Sequence, residues 1–129
     1  MLLTSLLTLS AFAQKDPFVG IYKGEIIAEK YGYPITGDKT VYAEVYRNAK
    51  GYHIKFVPSI FTGCETYGKA ENLKAENGKI VLDNVGEGEN LRNFNGVITP
   101  EEINVKAKHR GDAQLKLKRY NYVSPTMGM

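Results

Sequence analysis

Tyrosine is the residue type in this sequence that is best suited to binding a ligand. Four of the nine tyrosines fall in one stretch, two in a loop rich in Gly and Pro and two at positions i and i+4 of the strand that follows: Tyr31, Tyr33, Tyr42 and Tyr46. An aromatic ring offers an apolar face to sugar C–H groups, and its hydroxyl can bond the polar edge. These tyrosines therefore predict a sugar-binding surface. Packing in a barrel core is the alternative and the more common role of such rings.

A nucleophile or a mixed metal site would have to use the single cysteine and the two histidines, Cys64, His53 and His109. A Cys–His pair is chemically conceivable. A reactive thiolate, however, needs a basic neighbour or a helix N-terminus, and the residue beside Cys64 is the acidic Glu65. His53 lies on the same alternating face as Lys55, so we expect its ring to face solvent. We therefore expect no catalytic residue, no metal site and no cofactor.

The distribution of charge argues against a nucleic-acid partner. The formal net charge of +3 is too small for tight electrostatic binding of nucleic acid. Lysines that alternate along two neighbouring predicted strands should form a basic outer face: Lys106, Lys108, Lys116 and Lys118. Such a face is usually solvated and discourages edge pairing. The acidic run Gly-Glu-Gly-Glu at 86–89 fits neither a phosphate-binding loop nor a calcium loop, and we interpret it as a solvated turn.

The elements that position these residues are predicted to be strands. Apolar and polar residues alternate with period two, and turn signals recur at roughly 8–12-residue spacing. The predicted strands lie at 18–28, 40–47, 52–58, 69–76, 79–82, 91–98, 103–108 and 113–120. A chain of 129 residues fits one domain. The predicted fold class is therefore all-β, an antiparallel meander of about eight strands that forms a small lipocalin-like barrel.

Two local patterns make this fold prediction specific. In the first strand Gly20, Tyr22, Gly24 and Ile26 share one face, and alternating small and large residues suit the interior of a small barrel. The dipeptide Asn77-Gly78 is the strongest hairpin signal in the chain, because both residues tolerate the positive φ of a tight turn.

The first 13 residues have the features of a signal peptide. They carry no charged side chain, and they are too short to span a bilayer as a helix. They end in Ala11-Phe12-Ala13, which matches the small-x-small pattern of a signal-peptidase site. We therefore expect an exported protein, periplasmic or secreted, with no membrane span. Its parts would be a signal peptide at 1–13, a barrel domain at 14–122, and a tail or the start of a linker at 123–129.

Four segments together resemble the small β-domain that precedes the catalytic domain in secreted bacterial proteins of the 3-keto-disaccharide hydrolase-like family (DUF1080). They are FVGIYKG at 18–24, NFNGVI at 93–98, LKLKR at 115–119 and SPTMG at 124–128. The last segment resembles the Ser-Pro-Thr-Leu-Gly junction that leads into the hydrolase domain of that family, with Met127 in place of Leu. No catalytic residue of the family has a matching position, so none is carried over.

The resemblance implies an envelope protein of carbohydrate metabolism. We expect a non-catalytic β-module whose partner is a carbohydrate or a downstream hydrolase domain. Two other functions stay open. The chain could be part of a secreted hydrolase, or an enzyme with a site around Cys64, His53 and Glu65. It could also be a lipocalin-like carrier of a small ligand, which would need an interior cavity in place of a filled core.

The export hypothesis predicts cleavage after Ala13 when the protein is made in its native host. Mass spectrometry of the exported protein should then find a chain that begins at Gln14. Folded, soluble protein that retains Met1 would contradict the hypothesis.

Overall fold

The computed structural model describes residues 16–28, 40–58, 66–108 and 112–121. All regular structure within these ranges is β, which confirms the predicted fold class. Nine strands are present in these ranges: β1 (Gly20–Ala28), β2 (Thr40–Asn48), β3 (Gly51–Val57), β4 (Gly68–Leu73), β5 (Ala75–Glu76), β6 (Lys79–Val85), β7 (Arg92–Ile98), β8 (Glu102–Lys108) and β9 (Asp112–Asn121).

The strands form one antiparallel sheet that curls into a nearly closed barrel. Their order is β4-β3-β2-β1-β9-β8-β7-β6-β5. Most neighbours in the sheet are also neighbours in the chain, as in a meander. The exception is the pair formed by β1 and β9, which joins the first strand to the last. This pairing joins the β1–β4 half of the sheet to the β5–β9 half and brings distant parts of the sequence together.

The ninth strand arises because the strand predicted at 69–76 is interrupted at Lys74. Its first part, β4, pairs with β3, whereas its second part, β5, pairs with β6 through Ala75 and Ile80. The backbone bends just before the interruption, where Asn72 has a φ of 59°. One bent segment therefore connects the two edges of the sheet, and the other seven predicted strands correspond one to one with those observed.

The barrel interior is filled by apolar side chains from strands on all sides. In β8, for example, Ile103, Val105 and Ala107 point inward and alternate with exposed residues. Phe56 of β3 and Phe94 of β7 stack across the interior with their ring centroids 4.9 Å apart. Both rings are fully buried. The barrel is therefore packed with side chains at the level of this contact.

The acidic loop at 86–90 closes the gap between β4 and the β6–β7 connection. The amide of Lys69 donates to the carbonyl of Glu87 at 2.8 Å, and the amide of Glu87 donates back at 2.9 Å. Gly86 has a φ of 106°, and a Cβ there would lie 2.4 Å from the ring of Phe94. The interpretation as a solvated turn is therefore wrong for the backbone, which forms part of the barrel wall, although the Glu87 and Glu89 side chains are exposed.

The predicted hairpin turn and the register of the first strand are both confirmed. Asn77 and Gly78 have φ values of 55° and 77°, as a tight turn with two left-handed residues requires. In β1 the side chains of Tyr22 and Ile26 are buried in the core. Gly24 lies between them, where a Cβ would be 1.8 Å from the carbonyl oxygen of Lys116. The close approach of β1 and β9 thus requires glycine at position 24.

Replacing Gly24 by Val should lower the free energy of unfolding by more than about 1 kcal/mol, because the new side chain would push β9 away from β1. Glu25→Val adds the same side chain to the neighbouring exposed position and should change stability by no more than about 0.5 kcal/mol. Urea unfolding of both variants tests this expectation. Equal stability of the two variants would mean that β9 can move at little cost.

Candidate functional site

The two predicted ligand-binding tyrosines within the described ranges lie on the outer face of the barrel. Tyr42 and Tyr46 are half-buried and alternate along β2 with Val41, Ala43 and Val45, which are buried in the core. The alternative of barrel-core packing is therefore wrong for Tyr42 and Tyr46. With about 3.3 Å per residue, their α-carbons are roughly 13 Å apart. The other two predicted site residues, Tyr31 and Tyr33, lie outside the described residues.

Tyr42 forms an aromatic pair with Tyr120, a residue of β9 that was not predicted to belong to this site. Their ring centroids are 5.8 Å apart at an interplanar angle of 72°, the edge-to-face arrangement that aromatic pairs favour. The ammonium group of Lys23 lies 5.6 Å from the Tyr42 centroid and 5.1 Å from that of Tyr120. We call these three residues the Lys23 cluster. Tyr120 remains 48% exposed, so most of the accessible aromatic surface belongs to it.

Strand register explains how these three residues meet. Lys23 lies directly opposite Tyr42 in the β1–β2 ladder. In the β1–β9 ladder Ile21 pairs with Asn121, whereas Tyr22 pairs with Arg119, so Tyr120 is the extra residue of a bulge. Tyr120 and Lys118 are two residues apart on β9, so ordinary alternation already places Tyr120 on the outer face, beside Lys23.

The second outer-face aromatic contact pairs Tyr46 with His53. The rings stack with centroids 5.0 Å apart and an interplanar angle of 15°. His53 Nε2 donates to Asn48 Oδ1 at 2.9 Å, and Nδ1 has no hydrogen-bond partner. The prediction that His53 faces solvent is wrong, since the residue is only 5% exposed. It does occupy the outer face, but Tyr46 stacks on its ring, and Asn48 at the end of β2 accepts its hydrogen bond.

These contacts offer a ligand several kinds of interaction. The Lys23 cluster presents ring faces, phenol hydroxyls and one ammonium group, which can stack on a ligand and form hydrogen bonds with it. Glu44, on β2 between the two tyrosines, pairs with Lys55 at 3.8 Å. Within the described ranges no three His, Cys, Asp or Glu residues are grouped so that they could hold a metal ion. Cys64, Glu65 and His109 lie outside the described residues.

The predicted basic outer face is present on β8 and β9. Lys106, Lys108, Lys116 and Lys118 are all exposed. Lys108 forms an ion pair with Asp112, with Nζ and Oδ1 2.6 Å apart. In the β1–β9 ladder Lys118 lies opposite Lys23, so the basic face is continuous with the Lys23 cluster. This continuity depends on barrel closure and was not predicted from the sequence.

A second group of polar residues covers one end of the barrel, and sequence patterns did not reveal it. Asp16 accepts hydrogen bonds from the Tyr52 hydroxyl at 2.7 Å, from Arg47 Nη1 at 3.1 Å and from the Phe18 amide at 2.9 Å. The Phe18 ring is buried against Tyr52, with the ring centroids 5.3 Å apart. Asp16 thereby connects the residues before β1 to β2 and β3.

Arg119 completes the same end from β9. Its Nε donates to the Pro100 carbonyl at 2.9 Å, and its Nη1 donates to the Val19 carbonyl at 2.8 Å; Nη2 donates to the carbonyl of Pro17. The guanidinium group lies 4.8 Å from the ring centroid of Tyr22. The Tyr22 hydroxyl lies 2.9 Å from the carbonyl oxygen of Phe18. Arg119 thus ties together β9, the residues before β1 and the β7–β8 turn.

The two tyrosines at this end make stability depend on pH in the alkaline range. Burial raises the pKa of Tyr22 from its ordinary value of 10.0 to about 12. Burial and the hydrogen bond to Asp16 raise the pKa of Tyr52 to about 12 as well. The folded chain therefore holds both protons more tightly than the unfolded chain. The stability that these groups contribute is fully present below pH 10 and is lost as the pH rises towards 12.

We expect the free energy of unfolding to fall as the pH rises from 10 towards 12. Tyr52→Phe removes one of the two titrating groups, so its stability should fall less steeply over the same range. Urea unfolding at several pH values, for the wild type and the variant, measures both slopes. Identical slopes would show that the Tyr52 hydroxyl has the same pKa in the folded and the unfolded chain.

The chain was compared with known proteins at three levels. No protein-family model matches the sequence, no curated protein matches it, and no solved structure matches the fold. No helix in the described part of the chain is long and apolar enough to cross a membrane.

Proposed function

We propose that this chain is a non-catalytic carbohydrate-binding module that holds sugar on the outer face of its barrel, at the Lys23 cluster. The observation that carries the proposal is the exposed ring of Tyr120 next to Tyr42. A pyranose can place its C–H face on such a ring, while a phenol hydroxyl or the Lys23 ammonium bonds its hydroxyl groups.

The contacts within the Lys23 cluster support binding because they hold the rings in place before a ligand arrives. Lys23 lies near both rings, and a cation over an exposed aromatic ring contributes about 0.5–1 kcal/mol. The edge-to-face contact between Tyr42 and Tyr120 further limits the motion of the rings. A preorganised surface loses less side-chain entropy on binding, and this improves affinity.

Tyr46 gives the proposed surface a second contact point. It lies on the same face of β2, roughly 13 Å from Tyr42 along the strand, and its ring is held against His53. A ligand longer than one sugar unit could touch both positions. We propose that Tyr31 and Tyr33 contribute to the same surface, as their position before β2 suggests.

Export and a downstream hydrolase partner are parts of the same proposal. They rest on the signal-peptide features of 1–13 and on the resemblance of SPTMG at 124–128 to the junction before a hydrolase domain. The alternative of a small-ligand carrier needs interior space. The contact between Phe56 and Phe94 across the interior favours binding at the surface over carriage inside the barrel.

Tyr120→Ala should weaken sugar binding about tenfold or more, because a central aromatic contact often contributes more than about 1 kcal/mol. Isothermal titration calorimetry with neutral and uronic-acid oligosaccharides measures the change. Tyr120→Phe keeps the ring and should retain most of the affinity. Val81→Ala removes an exposed apolar side chain on β6, away from the site, and should bind as the wild type does. Unchanged affinity in Tyr120→Ala would refute the proposed site.

A further inference from the structure

We infer that the carbohydrate held at the Lys23 cluster is anionic, an oligosaccharide whose units carry carboxylate or sulfate groups. The inference rests on the proposed function and adds the chemical class of the ligand. It comes from the lysines that continue from the cluster across β9 and β8. These are Lys23, Lys118, Lys116 and Lys106, and we call them the lysine track.

The register of three strands places the lysine track in a continuous line. Lys23 and Lys118 are direct neighbours across the β1–β9 ladder. Lys116 follows Lys118 on the same face of β9, about 7 Å away along the strand. Lys106 lies on β8 opposite Gln114, and Gln114 is two residues before Lys116 on β9. The track therefore starts at the exposed ring of Tyr120 and runs obliquely over the outer face.

The positive charges of the track are not neutralised by ion pairs within the part of the chain that the structure describes. The four ion pairs found there use Arg47, Lys55, Lys69 and Lys108, and no residue of the track takes part. Two exposed acids lie nearby, since Glu25 faces Lys116 and Glu102 faces Lys118 in the ladders. Neither is within ion-pair distance of a track lysine, and the face keeps a net positive charge.

The position of the track beside Tyr120 indicates how an anionic sugar would lie. The sugar ring would stack on Tyr120, and its anionic group would point to Lys23 and Lys118, which are direct neighbours across the β1–β9 ladder. The next anionic units could then meet Lys116 and Lys106. A neutral sugar would stack on the same ring and could form hydrogen bonds with the lysines, but it would gain no charge–charge attraction from the lysine track.

Nucleic acid is a less suitable occupant of this surface. Binding of a single strand relies on several exposed aromatic rings that stack successive bases along a basic groove. On this face Tyr120 is the large exposed aromatic side chain of the described residues, and it stands at one end of the track. Four lysines would also neutralise few phosphates, so the affinity would be low at physiological salt.

The test measures binding of the full-length protein to α-1,4-linked galacturonic acid oligomers, and to neutral and sulfated galactose oligomers of the same length. Lys116→Gln/Lys118→Gln removes two charges from the lysine track. Lys74→Gln/Lys79→Gln removes two charges from exposed positions at the β5–β6 hairpin and is the matched control. A single-stranded oligonucleotide of similar charge is the competing anion.

We expect the wild type to bind the galacturonic acid oligomer at least tenfold more tightly than the neutral one, with an affinity that falls as salt is added. The track variant should lose this preference and the control variant should keep it. Comparable binding of the sulfated oligomer would support the inference and show that charge alone is recognised. Binding that is restricted to the galacturonic acid oligomer would support it and identify the carboxylate as the recognised group.

Three results would overturn the inference and leave the proposed function standing. The first is equal affinity for neutral and acidic oligomers, with Tyr120→Ala weakening the binding of both. The second is an equal loss of affinity in the two double variants, and the third is tighter binding of the oligonucleotide than of the sugars while sugar binding still depends on Tyr120. If no oligosaccharide binds, or if Tyr120→Ala leaves sugar binding unchanged, the proposed function itself fails and the inference fails with it.

Discussion

The antiparallel pairing of β1 with β9 is the contact on which the rest of this structure depends. Each strand of the meander has one apolar face, and a sheet that joins its first strand to its last can bury that face inside. The pairing requires a close approach of the two backbones, which Gly24 permits. It also puts Lys23 beside Lys118 and Tyr120 on the outside. The pairing of β1 with β9 therefore forms both the barrel core and the candidate site.

The polar contacts at the covered end fix the geometry of that pairing. Arg119 points to the ring of Tyr22 and to the carbonyls of the residues before β1. The next residue, Tyr120, lies in the bulge and faces outward. Arg119 and Tyr120, which follow each other on β9, therefore make their contacts on opposite faces of the strand.

Local patterns predicted most of the fold because strands, turns and core faces are encoded over a few residues. Alternation identified the interior face of β1, and Asn77-Gly78 identified the β5–β6 hairpin. The break at Lys74 was not predicted, because it depends on tertiary pairing: the residues before it pair with β3, and the residues after it pair with β6. The burial of His53 depends on stacking by Tyr46 across the ladder, which alternation along a single strand cannot reveal.

The candidate site was only half predictable for the same reason. Tyr42 was identified by its residue type and its position on a strand face, but its partner Tyr120 lies 78 residues further along the chain. No local signal links the two, because their contact follows from the pairing of β1 with β2 on one side and with β9 on the other. The two tyrosines before β2 fall outside the described residues, so their assignment stays a prediction.

The lysine track has a cost to stability that is consistent with a binding role. Like charges directly opposite each other weaken a strand pair, and Lys23 and Lys118 occupy such positions in the pairing that closes the barrel. The two tyrosine rings offset part of this repulsion by attracting the Lys23 ammonium. An anion bound beside Lys118 would remove more of it. Because such an anion would bind the folded chain and not the unfolded one, it would also stabilise the barrel where its two terminal strands meet.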